Sequence, residues 1–263
     1  MRMRYVQLWF KQLTMAGESP ATLFMLTKNI FQIHNRYEDL KVFERVSVER
    51  WRAINPDWNY HLMLGTELSV DDYIRDNWPK QADLFSSMSV IQKSQIRRAA
   101  LIHQNGGLYA DCDIYPLHPL SDRIPDQDSA WYALKDRDDG RKFIADYFFY
   151  SVAGNPILTD IIDEAFERTA NGDALKKKNP VGFIFETSSI HCYSHVVVDV
   201  HGKERLPWGD NWICDLQSNP NECLFYHYST ESWIDENRFV RDNINPFADE
   251  MHHLNAVKYF TGI

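Results

Sequence analysis

Cysteine is sparse and scattered. Cys112, Cys192, Cys214 and Cys223 form no C-x-x-C pair, which argues against a zinc site, and four thiols in 263 residues do not build a disulfide framework. Reduced thiols are the expectation. No apolar run approaches the roughly 20 residues that a spanning helix needs, and no N-terminal stretch joins an apolar core to a small-residue cleavage site. Both absences point to the cytoplasm. A basic tract is missing too: 28 Lys and Arg stand against 37 Asp and Glu, a net charge of −9, which speaks against DNA or RNA as a partner. An acidic chain that handles an anionic ligand must therefore concentrate positive charge locally. The rest of the composition is ordinary, 44% hydrophobic and 14% aromatic, enough for one sizeable core and one domain.

The most informative stretch runs from Lys93 to Leu117, KSQIRRAALIHQNGGLYADCDIYPL. Good helix formers predict a helix from Gln92 to Gln104, ended by Asn105, Gly106 and Gly107, because glycine reaches positive φ without steric cost. Leu108 to Ala110 then make a short strand, with Asp111-Cys112-Asp113 at its end. Alone, such a triplet is an ordinary acidic turn. At a strand end, two carboxylates one residue apart can also converge on a hard cation and leave positions open for substrate phosphates.

The run Asn105-Gly106-Gly107-Leu108-Tyr109-Ala110-Asp111-Cys112-Asp113, behind a helix carrying Arg98, resembles the sugar-binding region of the DXD glycosyltransferases. That group takes in outer-chain mannosyltransferases, the lactosylceramide galactosyltransferase type and capsule enzymes, with glucosylating toxins more distant. The resemblance implies an α/β fold of the GT-A class: a single Rossmann-like domain with a mixed, mostly parallel central sheet flanked by helices. It also implies a nucleotide-diphosphate sugar as donor, Mn²⁺ or Mg²⁺ as cofactor, and retention of the anomeric configuration. Asp111 and Asp113 become the catalytic and metal-binding pair, with Gln95, Arg98, Gly107 and Tyr109 at the donor. One position departs from the pattern: the family carries an aspartate three residues before the helix arginine, and this chain has Gln95. Residues 95 and 98 share a helix face, and an amide keeps hydrogen bonding while losing charge. The departure bears on donor identity, with a UDP-sugar favoured over GDP-mannose.

Along the chain, residues 1–26 read as an amphipathic helix (1–15) and a connection, residues 27–237 as the transferase domain, and 238–263 as a C-terminal helix and tail. Val6, Trp9, Phe10 and Leu13 share one face of the first helix. That face suits peripheral contact with a membrane, or packing on the domain or a partner subunit. Thr27 to His34 resembles the family's opening strand, which places His34 at the nucleotide base or leaves it an ordinary loop histidine. A helix over 38–54, stopped by Asn55-Pro56-Asp57, and a strand over 60–64 follow. The acidic pieces 70–78 and 81–88 read as surface helices without chemistry. Strands are expected over 130–134 and 147–152, joined by a charged loop or lid (135–142). A helix opened by Asn155-Pro156 buries Ile157, Leu158, Ile161, Ile162, Ala165 and Phe166. Residues 171–181 read as a polar connection whose lysines suit an acceptor phosphate, a membrane surface or, as an ordinary charge run, solvent.

Two late segments complete the expected site. Thr187-Ser188-Ser189 stands where the family often has a T-G-P turn, so Glu186, Thr187 and Ser188 are acceptor candidates. His227 with Ser232-Trp233 resembles the family's terminal H-x-x-x-S-W signature, here stretched. His227 would complete the metal shell, and Ser232 and Trp233 would donate to the diphosphate. The function implied is hexose transfer to a glycan, glycolipid or surface polysaccharide. A degenerate transferase fold serving as a glycan-binding or scaffolding subunit is the alternative. A phosphatase of the haloacid-dehalogenase type also opens with D-x-D, but near the chain start and with threonine or valine where Tyr115 stands.

Overall fold

The computed structural model describes residues 27–120, 130–136, 142–171, 177–178, 184–185, 213–214 and 225–227. The expected N-terminal helix, the acceptor candidates Glu186, Thr187 and Ser188, the donor candidates Ser232 and Trp233, and the C-terminal tail lie outside these residues.

The chain enters through β1 (Asn29–His34), a 3₁₀ turn (Tyr37–Asp39), α1 (Val42–Ile54) and β2 (Asn59–Leu64). Next come α2 (Ser69–Asn77), a second 3₁₀ turn (Pro79–Gln81), α3 (Ala82–Ser87), α4 (Val90–Asn105), β3 (Gly107–Ala110) and β4 (Ile114–Pro116). Then follow β5 (Ala130–Asp136), β6 (Lys142–Ser151) and α5 (Pro156–Ala170). Short strands close the series: β7 (Lys177–Lys178), β8 (Ile184–Phe185), β9 (Ile213–Cys214) and β10 (Phe225–His227).

Five strands form the main sheet in the order β2-β1-β3-β6-β5. β1 pairs parallel with both β2 and β3, while β6 runs antiparallel to its neighbours β3 and β5. Four strands therefore point one way and β6 the other, the mixed, mostly parallel sheet expected. A smaller sheet, β4-β10-β9, stands beside it. Within it His227 lies opposite Ile114, one residue past Asp113.

Alternation along the strands feeds two cores, because neighbouring side chains leave opposite faces of a strand. Phe31, Tyr109 and Phe149 meet Ile96, Ala99, Ala100 and Ile102 of α4 and the apolar stripe of α5. Ile30, Leu108, Ala110, Phe148 and Tyr150 meet Trp51 of α1 and Phe225 of β10. α4 starts with a capping box in which Ser89 accepts the Gln92 N–H and Gln92 accepts the Ser89 N–H. It ends on Gly106 at φ 65°. Gly107, at φ 119°, answers a tighter demand: a Cβ there would stand 2.5 Å from the Asn29 carbonyl oxygen. The glycine pair thus lets β3 lie directly against β1.

The predicted elements are recovered with two differences of substance. The long helix over 38–54 is split, because Lys41 adopts extended backbone as N-cap of α1 and Glu44 accepts its N–H at 2.7 Å. The acidic pieces also do more than cover the surface. Val70, Ile74, Trp78 and Phe85 are buried, and Asp71 makes a bidentate pair with the buried Arg97 of α4 (2.7 and 2.6 Å). Arg97 also donates to the Thr66 carbonyl at 2.6 Å. Smaller shifts are the later start of β1, the longer β6, and a two-residue strand, β7, inside the expected polar connection. Replacing Asp71 by alanine strands a guanidinium in the core. Equilibrium urea unfolding should then show a loss of about 3–5 kcal/mol, and a loss below 1 would mean the pair is dispensable.

Candidate active site

The acidic turn is held from both ends by side chains distant in sequence. The Asp111 N–H donates to the Tyr147 carbonyl at 2.9 Å, and the Ile114 N–H closes the turn on the Asp111 carbonyl at 3.1 Å. That same carbonyl accepts from the Gln32 amide at 2.9 Å. Gln32 is fully buried on β1, and its own amide oxygen accepts the Tyr60 hydroxyl of β2. At the far end, the Ile114 carbonyl accepts the Trp51 indole N–H at 2.8 Å and the Ser47 hydroxyl. Cys112 points inward, its Sγ 3.6 Å from the Ile33 carbonyl, and burial pushes its thiol up.

With the backbone fixed, the side chains sort into two groups. Tyr109 and Asp111 share a strand face, and the Tyr109 hydroxyl donates to Asp111 Oδ1 at 2.7 Å. Arg98 reaches the same carboxylate from α4, Nη2 to Oδ1 3.7 Å, with its guanidinium 5.1 Å from the Tyr109 ring centroid. On its other side Arg98 Nη1 meets the Asp146 carbonyl at 3.0 Å and Asp146 Oδ2 at 3.1 Å. The second group is Asp113 with His227, Nε2 to Oδ2 3.5 Å, and His227 packs on Tyr147 with ring centroids 4.1 Å apart. Burial holds the Glu44 carboxyl above the usual range, opposed by the Lys41 N–H and aided by the Asp113 charge.

Asp111, Asp113, Arg98, Tyr109 and His227 are thus gathered where the ends of β3 and β10 face the middle of α4. Gln95 lies one helical turn before Arg98 and is 9% exposed. His34 sits at the end of β1 with Nδ1 2.8 Å from the Arg36 carbonyl. Gly107, expected at the donor, is buried at the start of β3, where the task visible is its close contact with Asn29. Sequence reasoning passed over Asp146, Tyr147 and Glu44, and saw Gln32 only as part of a strand. For Asp146 a signal existed: it is the lone charge directly before the aromatic run Tyr147 to Tyr150.

The donor set suits a hard divalent cation, since carboxylate oxygens and one imidazole are ligands Mn²⁺ and Mg²⁺ accept. Among the described residues no three His, Cys, Asp or Glu side chains converge as a self-sufficient cage. Asp113 and His227 would supply direct ligands, and Asp111, turned to Tyr109 and Arg98, would act through water. Such a half-open shell is usual where substrate phosphates complete the coordination.

Desolvation, aided by the Asp113 and Asp146 charges and opposed chiefly by Arg98, pushes the Asp111 carboxyl up to about 6. The folded chain keeps that proton where an unfolded aspartate, at 3.8, has lost it. The stability this contributes is full below 3.8 and lost as the pH rises through about 6. In metal-free buffer Asp111→Asn should therefore melt higher than the wild type at pH 7.5 and close to it at pH 4. Parallel melting curves across that range would contradict the assignment.

Residues 42–131, from the start of α1 into β5, match the family model described as "Glycosyltransferase sugar-binding region containing DXD motif". No curated protein matches the chain by sequence. Among solved structures it is similar to the PaToxG glycosyltransferase, at TM-score 0.44 and 14% identity over 67% of this chain and 70% of that one. It is also similar to the catalytic domain of alpha-toxin from Clostridium novyi, at TM-score 0.40 and 11% identity over 70% of this chain and 65% of that one. A third is a glycosyltransferase involved in glycosylation of the major capsid of PBCV-1, at 0.39 and 16% over 77% of this chain and 92% of that one. All three similarities are distant. No helix among the described residues is long and apolar enough to cross a membrane. Asp111 and Asp113 thus lie within the stretch that matches the DXD sugar-binding region, carried on an α/β domain with a mixed, mostly parallel sheet.

Proposed function

We propose that this protein transfers a hexose from a nucleotide-diphosphate sugar, a UDP-sugar in preference to GDP-mannose, to a hydroxyl of a glycan, glycolipid or surface polysaccharide. The observation that carries the proposal is the meeting of Asp113 with His227, at 3.5 Å, beside the Arg98–Asp111 pair. The pairing of β10 with β4 brings a carboxylate and an imidazole together at a strand end, where a divalent ion can bridge them.

In this scheme Asp113 and His227 would hold Mn²⁺ or Mg²⁺, and the ion would supply positive charge opposite the donor diphosphate. Arg98 and Gln95 orient the donor. Tyr109 fixes the Asp111 carboxylate, which would serve the ion through its hydration shell or accept from a donor hydroxyl. Ser232 and Trp233 would add donors to the diphosphate, and His34 would lie at the base. Glu186, Thr187 and Ser188 would meet the acceptor. Retention of configuration follows from the family resemblance, with the acceptor hydroxyl attacking the face that the diphosphate leaves.

Asp113→Asn should lower both sugar transfer and donor hydrolysis by about 10²–10³-fold, the scale seen when one preorganised electrostatic group is lost. A nucleotide-release assay with UDP-, GDP- and dTDP-sugars, with and without Mn²⁺, reads both. Full turnover in chelator would overturn the metal role. Binding of glycans without manganese-strengthened nucleotide binding would instead support a glycan-binding or scaffolding subunit.

A further inference from the structure

Tyr147 touches both halves of the site, and the scheme above gives it no task. Its backbone carbonyl accepts the Asp111 N–H at 2.9 Å and so helps to hold the acidic turn. Its ring, on a residue only 6% exposed, lies against the His227 imidazole with centroids 4.1 Å apart and planes inclined at 33°. The next residue of β6 repeats the contact. Phe148 meets Phe225 with centroids again 4.1 Å apart, at 36°. Phe225 and His227 stand two positions apart on β10 and so share a strand face. A strand of three residues has its register set by what its side chains bury. Two ring pairs therefore dock β10 on β6. The Phe225–Phe148 pair is fully buried and anchors the strand, while the His227–Tyr147 pair stands next to Asp113.

We propose that Tyr147 is a positioning residue whose ring holds the plane of the His227 imidazole, so that Nε2 stays turned toward Asp113 and the cation; this rests on the metal-dependent function proposed above. Backbone pairing of β10 with β4 places the histidine Cα, but it does not fix the ring. The second side-chain torsion of histidine has a broad minimum, so the imidazole can rotate unless a neighbour stops it. A flat ring stacked at 4.1 Å does so, because rotation would drive the imidazole edge into the phenol face. Ligation is directional, and a group that orients a metal ligand contributes to affinity without touching the ion. The two tasks of Tyr147 are also separable, since substitution of the side chain leaves its carbonyl on the acidic turn.

The test is Mn²⁺ binding to the full chain, with UDP present, followed by the electron paramagnetic resonance of free Mn²⁺. Tyr147→Phe keeps the ring face and should bind within about threefold of the wild type. Tyr147→Leu removes the face and should weaken binding about tenfold or more, the range typical for groups that orient metal ligands. Tyr147→Met fills the space without a flat face; it should show the same loss, and it replaces the leucine variant if that one folds poorly. In a His227→Ala background, Tyr147→Leu should cost less than about twofold more, because the residue through which it acts is gone. A fully additive loss there would mean that Tyr147 acts elsewhere, and overturns the proposal. A phenylalanine variant as weak as the leucine one assigns the effect to the hydroxyl, and overturns it too. Proton NMR of the metal-free chain gives a second readout. The His227 imidazole signals, assigned by their loss in His227→Ala, should be shifted upfield by the ring current in wild type and Tyr147→Phe and relax downfield in Tyr147→Leu; unmoved signals count against the contact. Wild type that binds no Mn²⁺ would sink the metal role and this proposal with it. Normal wild-type binding with an unchanged Tyr147→Leu would sink the positioning role alone.

Discussion

Everything at this site depends on how firmly four residues of backbone are held. The segment Asp111 to Ile114 leaves the sheet in a tight turn, and such turns ordinarily owe their shape to their own residues. Here the carbonyl at each end is claimed from outside, by Gln32 at one end and by Trp51 with Ser47 at the other. These donors come from β1 and α1, which are themselves locked into the two cores. The carboxylates therefore inherit the rigidity of the sheet, although they stand just beyond it. Two anions in a partly desolvated recess would otherwise swing apart to relieve their repulsion.

A second constraint acts at the opposite end of β3. Asn29 and Gly107 approach so closely that any side chain at 107 would collide with backbone. The close approach sets β3 directly beside β1, and that adjacency brings Gln32 within reach of the Asp111 carbonyl. The glycines and the aspartates of the motif are thus linked mechanically. The former secure the strand pairing that lets the latter be clamped. On this view the spacing between them is a strand length, since Gly107 to Ala110 is all that separates the two devices.

Much of this architecture was legible in the residues. The helix over α4 and its glycine stop, the strand ending in two acids, the strand–helix–strand entry and the α5 stripe all follow from periodicity and turn chemistry. Each of those signals is local. The features that escaped are pairings across distance. Asp71 and Arg97 lie 26 residues apart, and Asp146 and Arg98 lie 48 apart. Nothing in the run S-V-D-D-Y-I-R-D-N distinguishes the buried Asp71 from the exposed Asp72, because a helix pattern shows which face turns inward only for apolar residues. Asp146 was more readable, as a lone charge at the head of an aromatic strand, yet its partner could not be named from one sequence. His227 illustrates the middle case. Its chemistry was suggested by resemblance, and its place beside Asp113 follows from antiparallel pairing of β10 with β4.

That last pairing has a consequence for the order in which the chain becomes competent. The acids, the arginine and the side chains that clamp the turn all lie before residue 115, and β6 then adds the Tyr147 carbonyl and Asp146. The imidazole arrives on a three-residue strand near the end of the polypeptide, together with Phe225, which fills the second core. A nascent chain can thus settle its acidic turn while still emerging from the ribosome, yet histidine joins only after translation has passed residue 227. A truncation between residues 151 and 225 would keep the carboxylates and β6 and leave a hole where Phe225 belongs.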